Sequence, residues 1–380
     1  MKILTNIQTT HVAGISQVLW TLIKHLGQKK NNRIKIVGVD VCSAVDSSAG
    51  KIKYQDINPN FSQITLDSNS FPKFNEILKT AETVNMIQEA YGELIDKYRE
   101  IIALESPDLI LLNGTYYVPW LLYLAAKDTN TPIVLHYHGI LTKEISHLED
   151  RIKNLLEDLE RYFDNDKLLY LFPSELAKNT VEKEVFKHEI NKSAIIPNPI
   201  PNHFFDAQAI GSKKNVAFIG RLSAVKNPNF IKKLAAYNKK KKGRFKIQVV
   251  TDLAPTSKKI FFDTSVNIVK PMDTYKLLKF YEKTGLVISP SFFETYGNVA
   301  QEAIATGTPA LVSNNMGVAE TFKKIGLERL IVDFNSVADV YRHIGKFSGV
   351  VVSQEVRNRL REMTSGDKIS SHVIKTLKNI

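Results

Sequence analysis

Short apolar runs alternate along this chain with stretches whose apolar residues recur at helical spacing. "KIL" at 2–4 predicts a strand. In "ISQVLWTLIKHLG", residues 15–27, Val18, Leu19, Leu22, Ile23 and Leu26 mark one helix face, and Gly27 ends it. "RIKIVGVDV" at 33–41 predicts the next strand, a long helical region fills about 76–104, and "DLILLN" at 108–113 is a strand again. A helix over "PWLLYLAAKD", a strand over "PIVLHYHG" at 132–139 and a charged helical stretch at 144–164 follow. "LLYLFPSELAKNTVEKEV" reads as strand, turn and helix. This alternation predicts βα units and mostly parallel sheets.

The rhythm breaks once. "IIPNPIPNHFF", residues 195–205, holds three prolines in eleven positions, which removes backbone donors and fixes φ. A domain boundary is expected there. A second series of units starts at "KNVAFIGRLS" and runs through "FKIQVVTD", "VNIVKP", "TGLVISPS", "TPALVSN" and "ERLIVD". The expected fold is α/β, with two tandem Rossmann-like domains facing each other across a cleft. Residues 1–200 form the first and 201–365 the second. A final helix at 366–380 is expected to cross back and complete the first domain. Ligands of such sheets bind at the carboxyl ends of strands.

Composition narrows the classes. The 380 residues suit two domains at ~150 residues each. With Cys42 the sole cysteine, the chain can form no internal disulfide and no cysteine-built metal site, which fits a reducing compartment. The start, "MKILTNIQTTHVAG", lacks the apolar run of a signal peptide. The longest apolar region, 109–126, is interrupted by Asn113, Gly114 and Pro119, so no transmembrane segment is expected. A cytoplasmic protein is the resulting expectation.

The net charge of +12 is uneven: residues 1–200 carry 22 Lys+Arg against 25 Asp+Glu, and residues 201–380 carry 29 against 14, so −3 and +15. A basic half invites a nucleic-acid reading. No zinc-finger, RRM or KH pattern accompanies it, and no nucleic-acid partner is expected. The alternative is a cationic domain that attracts a small phosphorylated ligand.

Candidate chemistry clusters at predicted strand ends. In "SPSFFETYGNVAQEA", residues 289–303, a strand ends at Ser289-Pro290-Ser291, Gly297 turns the chain, and a helix runs from about Asn298 to Thr306 before Gly307. The N–H groups at its start are an anion site. Glu302, one turn in, suits vicinal hydroxyls such as those of a ribose. Glu294, in the loop, suits another polyol. Both also fit plain acids near a helix start. In "GRLSAVKNP", 220–228, Arg221 and Lys226 follow a strand and would hold a diphosphate, or be two solvated loop cations. His138, before Gly139, would bond a substrate hydroxyl or phosphate. Gly14 would let the backbone approach a ligand. No Asp, Glu or Cys at metal spacing joins His136 and His138, and "DND" at 164–166 merely ends a charged helix.

In this order and spacing the motifs resemble the GT-B fold glycosyltransferases of family 4, the retaining nucleotide-sugar transferases. The resemblance spans nearly the whole chain: the glycine after the first strand, "HG" at 138–139, "FPSE", "IPNP", "GRLSAVK", "YEKTGLVISPS", and two glutamates with seven residues between them, running into Gly307-Thr308-Pro309. It implies that Arg221 and Lys226 neutralise a donor diphosphate and that Glu302 holds the ribose. Glu294 would contact the transferred sugar, and backbone N–H groups around Tyr296, Gly297 and Asn298 would bind phosphate. His138 would lie near the sugar or the attacking hydroxyl, and Lys270-Pro271 by the base. It also implies a UDP-sugar donor, with GDP second, and a glycan or lipid-linked acceptor. No cofactor or metal would be required, and peripheral contact at the inner face of a membrane stays open. Three departures stand out. Thr295-Tyr296 follows Glu294 where the family has Gly-Phe, Ala13-Gly14 replaces a glycine pair, and Thr251-Asp252 ends a strand where glycine is usual. A phosphorylase, a sugar epimerase and a non-catalytic partner subunit remain as alternatives.

Overall fold

The computed structural model describes residues 1–9, 14–28, 34–43, 52–145, 147–254 and 259–378. The chain divides into two compact units. The first comprises residues 1–173, 177–196 and 369–380, the second residues 174–176 and 197–368. Each is an α/β layer structure built on one sheet.

The first sheet has eight strands: β1 (Lys2–Ile7), β2 (Lys35–Cys42), β3 (Lys53–Asn58), β4 (Phe61–Asp67), β5 (Leu109–Asn113), β6 (Ile133–His136), β7 (Leu169–Phe172) and β8 (Ser193–Ile195), in the order β3-β4-β2-β1-β5-β6-β7-β8. All neighbours are parallel except β3 and β4. Helices cover both faces of such a sheet, so its central strands are apolar without alternation: every residue of β5 and β6 is buried.

Three elements differ from the sequence pattern. The β3–β4 hairpin was not expected. Every residue of β3 is exposed, so no apolar rhythm announces it, and Asn58 closes the turn by accepting from Asn60 N–H at 2.9 Å. The helical region at about 76–104 is three helices, Phe74–Thr80, Val84–Ala90 and Gly92–Glu105. Thr83 restarts the second by accepting from Met86 N–H at 3.4 Å. The charged stretch at 144–164 becomes a one-turn helix, Leu141–Glu144, and a longer one, Asp150–Arg161.

The second sheet is parallel throughout: β9 (Asn215–Ile219), β10 (Lys246–Val250), β11 (Asn267–Val269), β12 (Leu286–Ser289) and β13 (Ala310–Val312), in the order β11-β10-β9-β12-β13. Its core joins strand residues such as Val216, Phe218 and Ile288 to Ala300, Ala303 and Ile304 of the Asn298–Thr306 helix.

The last helix, Gly366–Leu377, sends Ile369, Val373, Ile374 and Leu377 into the core of the first unit, where they pack with Ile3, Val18, Leu22 and Val134. Among the described residues, no helix is long and apolar enough to cross a membrane.

Strand order reverses beside β1 in one sheet, between β2 and β5, and beside β9 in the other, between β10 and β12. At such a switch the loops on the carboxyl side part in opposite directions and open a crevice. The loops that follow β1, β5, β9 and β12 therefore decide what each unit can bind.

Candidate active site

In the second unit, the loops after β9 and β12 meet at the switch. The first leaves Ile219 through Gly220, makes a tight turn at Ala224–Lys226, and enters the Pro228–Lys240 helix. Asn227, in the left-handed region at φ 54°, caps that helix by accepting from Phe230 N–H at 3.3 Å. Phe292 N–H donates to Val225 O at 2.8 Å, tying the second loop to the first. Across this seam Lys226 Nζ lies 2.7 Å from Glu294 Oε2, while Ser291 Oγ donates to Glu294 Oε1 at 2.6 Å. The backbone of Glu294 is fixed too: its N–H donates to Asn315 O at 3.1 Å, and its carbonyl accepts from Gly317 N–H at 3.1 Å. Arg221, exposed, stands in the loop with Lys226.

Downstream, Thr295 and Tyr296 are buried. Tyr296 Oη lies 2.9 Å from Thr321 Oγ1, and its carbonyl accepts from Val318 N–H at 2.7 Å, so the Tyr296 ring belongs to the core. Gly297 at φ 121° turns the chain into the Asn298–Thr306 helix. A Cβ there would stand 2.8 Å from Met316 Cε and 2.9 Å from Val318 Cγ1, so both conformation and space demand glycine. No side chain caps this helix start. Asn298 is held from the side, its Oδ1 accepting from Asn198 Nδ2 at 2.8 Å.

Among the described residues of the unit, Glu302 is the buried carboxylate, 5 % exposed on the second turn of that helix. Tyr281 Oη donates to its Oε2 at 3.0 Å. Burial raises its pKa to about 7, and the Tyr281 bond offsets part of the rise. Loss of solvation likewise pushes the Tyr281 phenol well above its usual range, reinforced by the neighbouring carboxylate. A carboxylate so poorly solvated is short of hydrogen-bond donors, which a diol supplies.

A folded-state pKa above the unfolded one means that the native state holds the proton more tightly between the two values. Stability therefore falls as pH rises through that window and is lowest above the folded pKa of about 7. Glu302→Gln removes this slope. The variant should be more stable than the parent by roughly 3 kcal/mol at about pH 8 and by only about 1 kcal/mol at about pH 5. Urea denaturation at both pH values measures this, and a parallel shift at both would contradict the buried-charge account.

In the first unit, polar groups gather at the ends of β1, β5 and β6. Asn6 and Asn113 clamp the switch: Asn6 Nδ2 donates to Asn113 O at 3.0 Å, and Asn113 N–H donates to Asn6 Oδ1 at 2.8 Å. His138 lies two residues beyond β6, with Nε2 2.6 Å from Asn113 Oδ1 and its ring against that of His136, centroids 4.1 Å apart. Burial lowers the pKa of His136 to about 4 and holds that of His138 well below the usual range, so both imidazoles are neutral. The next loop is anchored by the buried Glu160, which accepts from Leu141 N–H at 2.9 Å and from Thr142 N–H and Oγ1 at 3.0 Å. Gly14 opens the first helix, Gly14–Gln28, while Ala13 lies outside the described residues.

The structure thus joins Lys226 to Glu294 and seats Glu302 on the adjacent helix. Lys270 and Pro271 stand exposed beyond β11, at the far edge of the sheet, two strands from β9. Tyr281, Ser291, Asn6 and Asn113 were not singled out from the sequence. Tyr281 and Ser291 fall within stretches quoted for the family resemblance, and Asn113 ends a predicted strand, so position was available but partnership was not. The "DND" string is a turn in which Asp164 pairs with His188 at 2.8 Å. Among the described residues, no group of three His, Cys, Asp or Glu could hold a metal.

Two Rossmann-like units, with Lys226 meeting Glu294 at the second unit's switch, define a chain of the GT-B glycosyltransferase class. Residues 12–203 match the family described as Glycosyltransferase Family 4, and residues 200–363 match Glycosyl transferases group 1. The chain belongs to glycosyltransferase family 4. A D-inositol 3-phosphate glycosyltransferase of Nocardia farcinica is 27 % identical over 161 residues, 39 % of this chain and 34 % of the relative. The chain thus spans about a third of that curated relative's length. Among solved structures, a sucrose-phosphate synthase from Thermosynechococcus elongatus superposes with a TM-score of 0.76 at 13 % identity, covering 100 % of this chain and 98 % of that one. An α,α-trehalose-phosphate synthase (UDP-forming) from Burkholderia xenovorans, in complex with glucose-6-phosphate, gives 0.67 at 13 % identity with both chains fully covered. At these identities the structural likeness establishes the fold.

Proposed function

We propose that this chain is a retaining glycosyltransferase. It moves a hexosyl or N-acetylhexosaminyl group from a nucleotide-diphosphate sugar, UDP before GDP, to a hydroxyl of a glycan or lipid-linked acceptor, without a metal. The observation that carries this reading is the meeting of Lys226 with Glu294 at 2.7 Å on the second unit's switch, with the donor-poor Glu302 on the helix that follows.

In this mechanism Arg221 and Lys226 take the diphosphate, and the uncapped start of the Asn298–Thr306 helix adds N–H donors. Positive charge placed where the leaving group gains charge lowers the barrier without metal chemistry. Glu302 accepts from the ribose hydroxyls. When the diphosphate arrives, Lys226 turns part of its charge to phosphate, and Glu294 is left to orient the sugar hydroxyls. The bond from the anomeric carbon to the diphosphate oxygen breaks, and the acceptor oxygen bonds to the same face. The acceptor's proton passes to the departing phosphate oxygen. The neutral imidazole of His138 hydrogen-bonds a sugar or acceptor hydroxyl. UDP is favoured partly because one structural relative is described as UDP-forming. The D-inositol 3-phosphate of the relative's name and the glucose-6-phosphate of the structure argue for including phosphosugars among the acceptors tried.

The test is an assay of nucleotide-diphosphate release from UDP-, GDP- and ADP-sugars with glycan, glycolipid and phosphosugar acceptors, followed by determination of the product's anomeric configuration. Acceptor-dependent release with the donor's configuration kept supports the proposal. Turnover that needs inorganic phosphate instead of an acceptor would assign a phosphorylase. Conversion of the sugar nucleotide alone would assign an epimerase.

A further inference from the structure

Nine of the 29 cations of the second half cluster away from the loops that would serve the donor. Lys213 and Lys214 precede β9, Lys246 begins β10, and Lys246 N–H donates to Lys214 O at 2.8 Å, so all three sit at the amino edge of the sheet. The Pro228–Lys240 helix runs back to this edge, and four consecutive lysines, 239–242, span its end and the turn beyond it, followed by Arg244. The helix Val337–Phe347 adds Lys346, whose neighbour Gly345 lies against the Arg244 guanidinium. All of these cations are exposed. Of the acids on the adjoining helices, Asp339 pairs with Arg342 and Glu282 with Lys279.

Arg221, Lys226 and Glu294 lie at the opposite, carboxyl edge. β9 has five residues, which at about 3.3 Å per residue put the two edges about 16 Å apart. That is about two Debye lengths at physiological salt, so this patch acts little on a ligand at the far edge.

Apolar side chains stand among the same cations. Ile210 is 71 % exposed, Val350 44 % and Val351 49 %. They belong to one surface. Val351 Cγ2 lies 3.3 Å from where a Cβ on Gly211 would stand, and Ser348 Oγ donates to Lys213 O at 3.1 Å. Nucleic-acid sites on this scale add free aromatic faces for stacking and favour arginine forks. Here Phe245 and Phe347 are buried, Tyr237 and Tyr341 pack edge to face on each other, and lysine predominates. Lysines around a few exposed aliphatic side chains suit a bilayer surface with anionic headgroups, where the charges meet phosphate and the aliphatics enter the interface.

We propose that the amino edge of the second unit docks on an anionic lipid bilayer. The proposal places the membrane contact in the basic second half and does not depend on the donor site. The test is co-sedimentation of the full chain with vesicles of phosphatidylcholine alone and of phosphatidylcholine mixed with phosphatidylglycerol, at low and high salt. Binding to the anionic vesicles only, weakening with salt, is expected. Each surface lysine contributes about a fivefold factor to such affinity. Replacing Lys239, Lys240, Lys241 and Lys242 by glutamate should therefore abolish sedimentation. The variant should keep the parent's cooperative melting transition, which shows that it is folded. Equal charge reversal at Lys127, Lys167, Lys183 and Lys192 of the first unit should leave binding within a few fold. The proposal is overturned if the parent ignores anionic vesicles or binds neutral ones equally. It is likewise overturned if the 239–242 variant binds as the parent does, or if a single-stranded oligonucleotide is bound and vesicles are not.

Discussion

Lys226→Ala should lower kcat/KM for sugar transfer by about 100- to 1,000-fold, the loss that follows when one preorganised donor is removed from a developing anion. The geometry explains why the effect exceeds that of a surface lysine. Lys226 and Glu294 are both mostly shielded, with side-chain exposures of 25 % and 16 %. Removing the amine deletes a charge-assisted bond to the leaving group. It also leaves an uncompensated carboxylate beside the place where the diphosphate must sit. Two consequences can be measured. Lys226→Arg should recover part of the rate, because charge returns without the same reach. In a double-mutant cycle with Glu294→Ala, the combined loss should fall well short of the sum, as for residues that act as a unit. A Lys226→Ala enzyme within threefold of the parent would remove the donor-site assignment.

Deleting residues 366–380 should abolish the cooperative folding of the first unit. Ile369, Val373, Ile374 and Leu377 are each less than a tenth exposed and share one core with strands β1 and β6. Burying four such side chains stabilises by about 1.5–3 kcal/mol each at the upper bound, which together rivals the 5–15 kcal/mol that holds a typical domain. The truncated chain should be poorly soluble, bind a hydrophobic dye and lack the parent's melting transition. Val373→Asp should reproduce most of this with the length unchanged. A truncation that melts with the parent would mean that this helix adds nothing to the core.

Strand-loop-helix units carry local signals, so the runs "NVAFIGRLSAVKNP" and "VISPSFFETYGNVAQEA" placed Arg221, Lys226, Glu294 and Glu302 at strand ends and on a helix from residue type and spacing alone. The Asn298–Thr306 helix was legible to its ends because Gly297 and Gly307 both require positive φ. Pairings across the fold were hidden. Nothing local links Tyr281 to Glu302, 21 residues on, or Asn6 to Asn113, 107 residues on, because strand order decides which ends become neighbours. β3 was hidden for the opposite reason, since an edge strand exposed along its whole length carries no apolar period. Total charge was legible, but which edge of the sheet it occupied was not.

The central claim is a nucleotide-diphosphate site on the second unit held by Lys226 and Glu302. A thermal-shift panel with UDP, GDP and ADP and their sugars, with and without EDTA, on the parent and on Lys226→Ala tests it most directly. The account predicts stabilisation by one nucleotide series, unaffected by EDTA and lost in the variant. No shift with any nucleotide, in a parent that melts cooperatively, would contradict it.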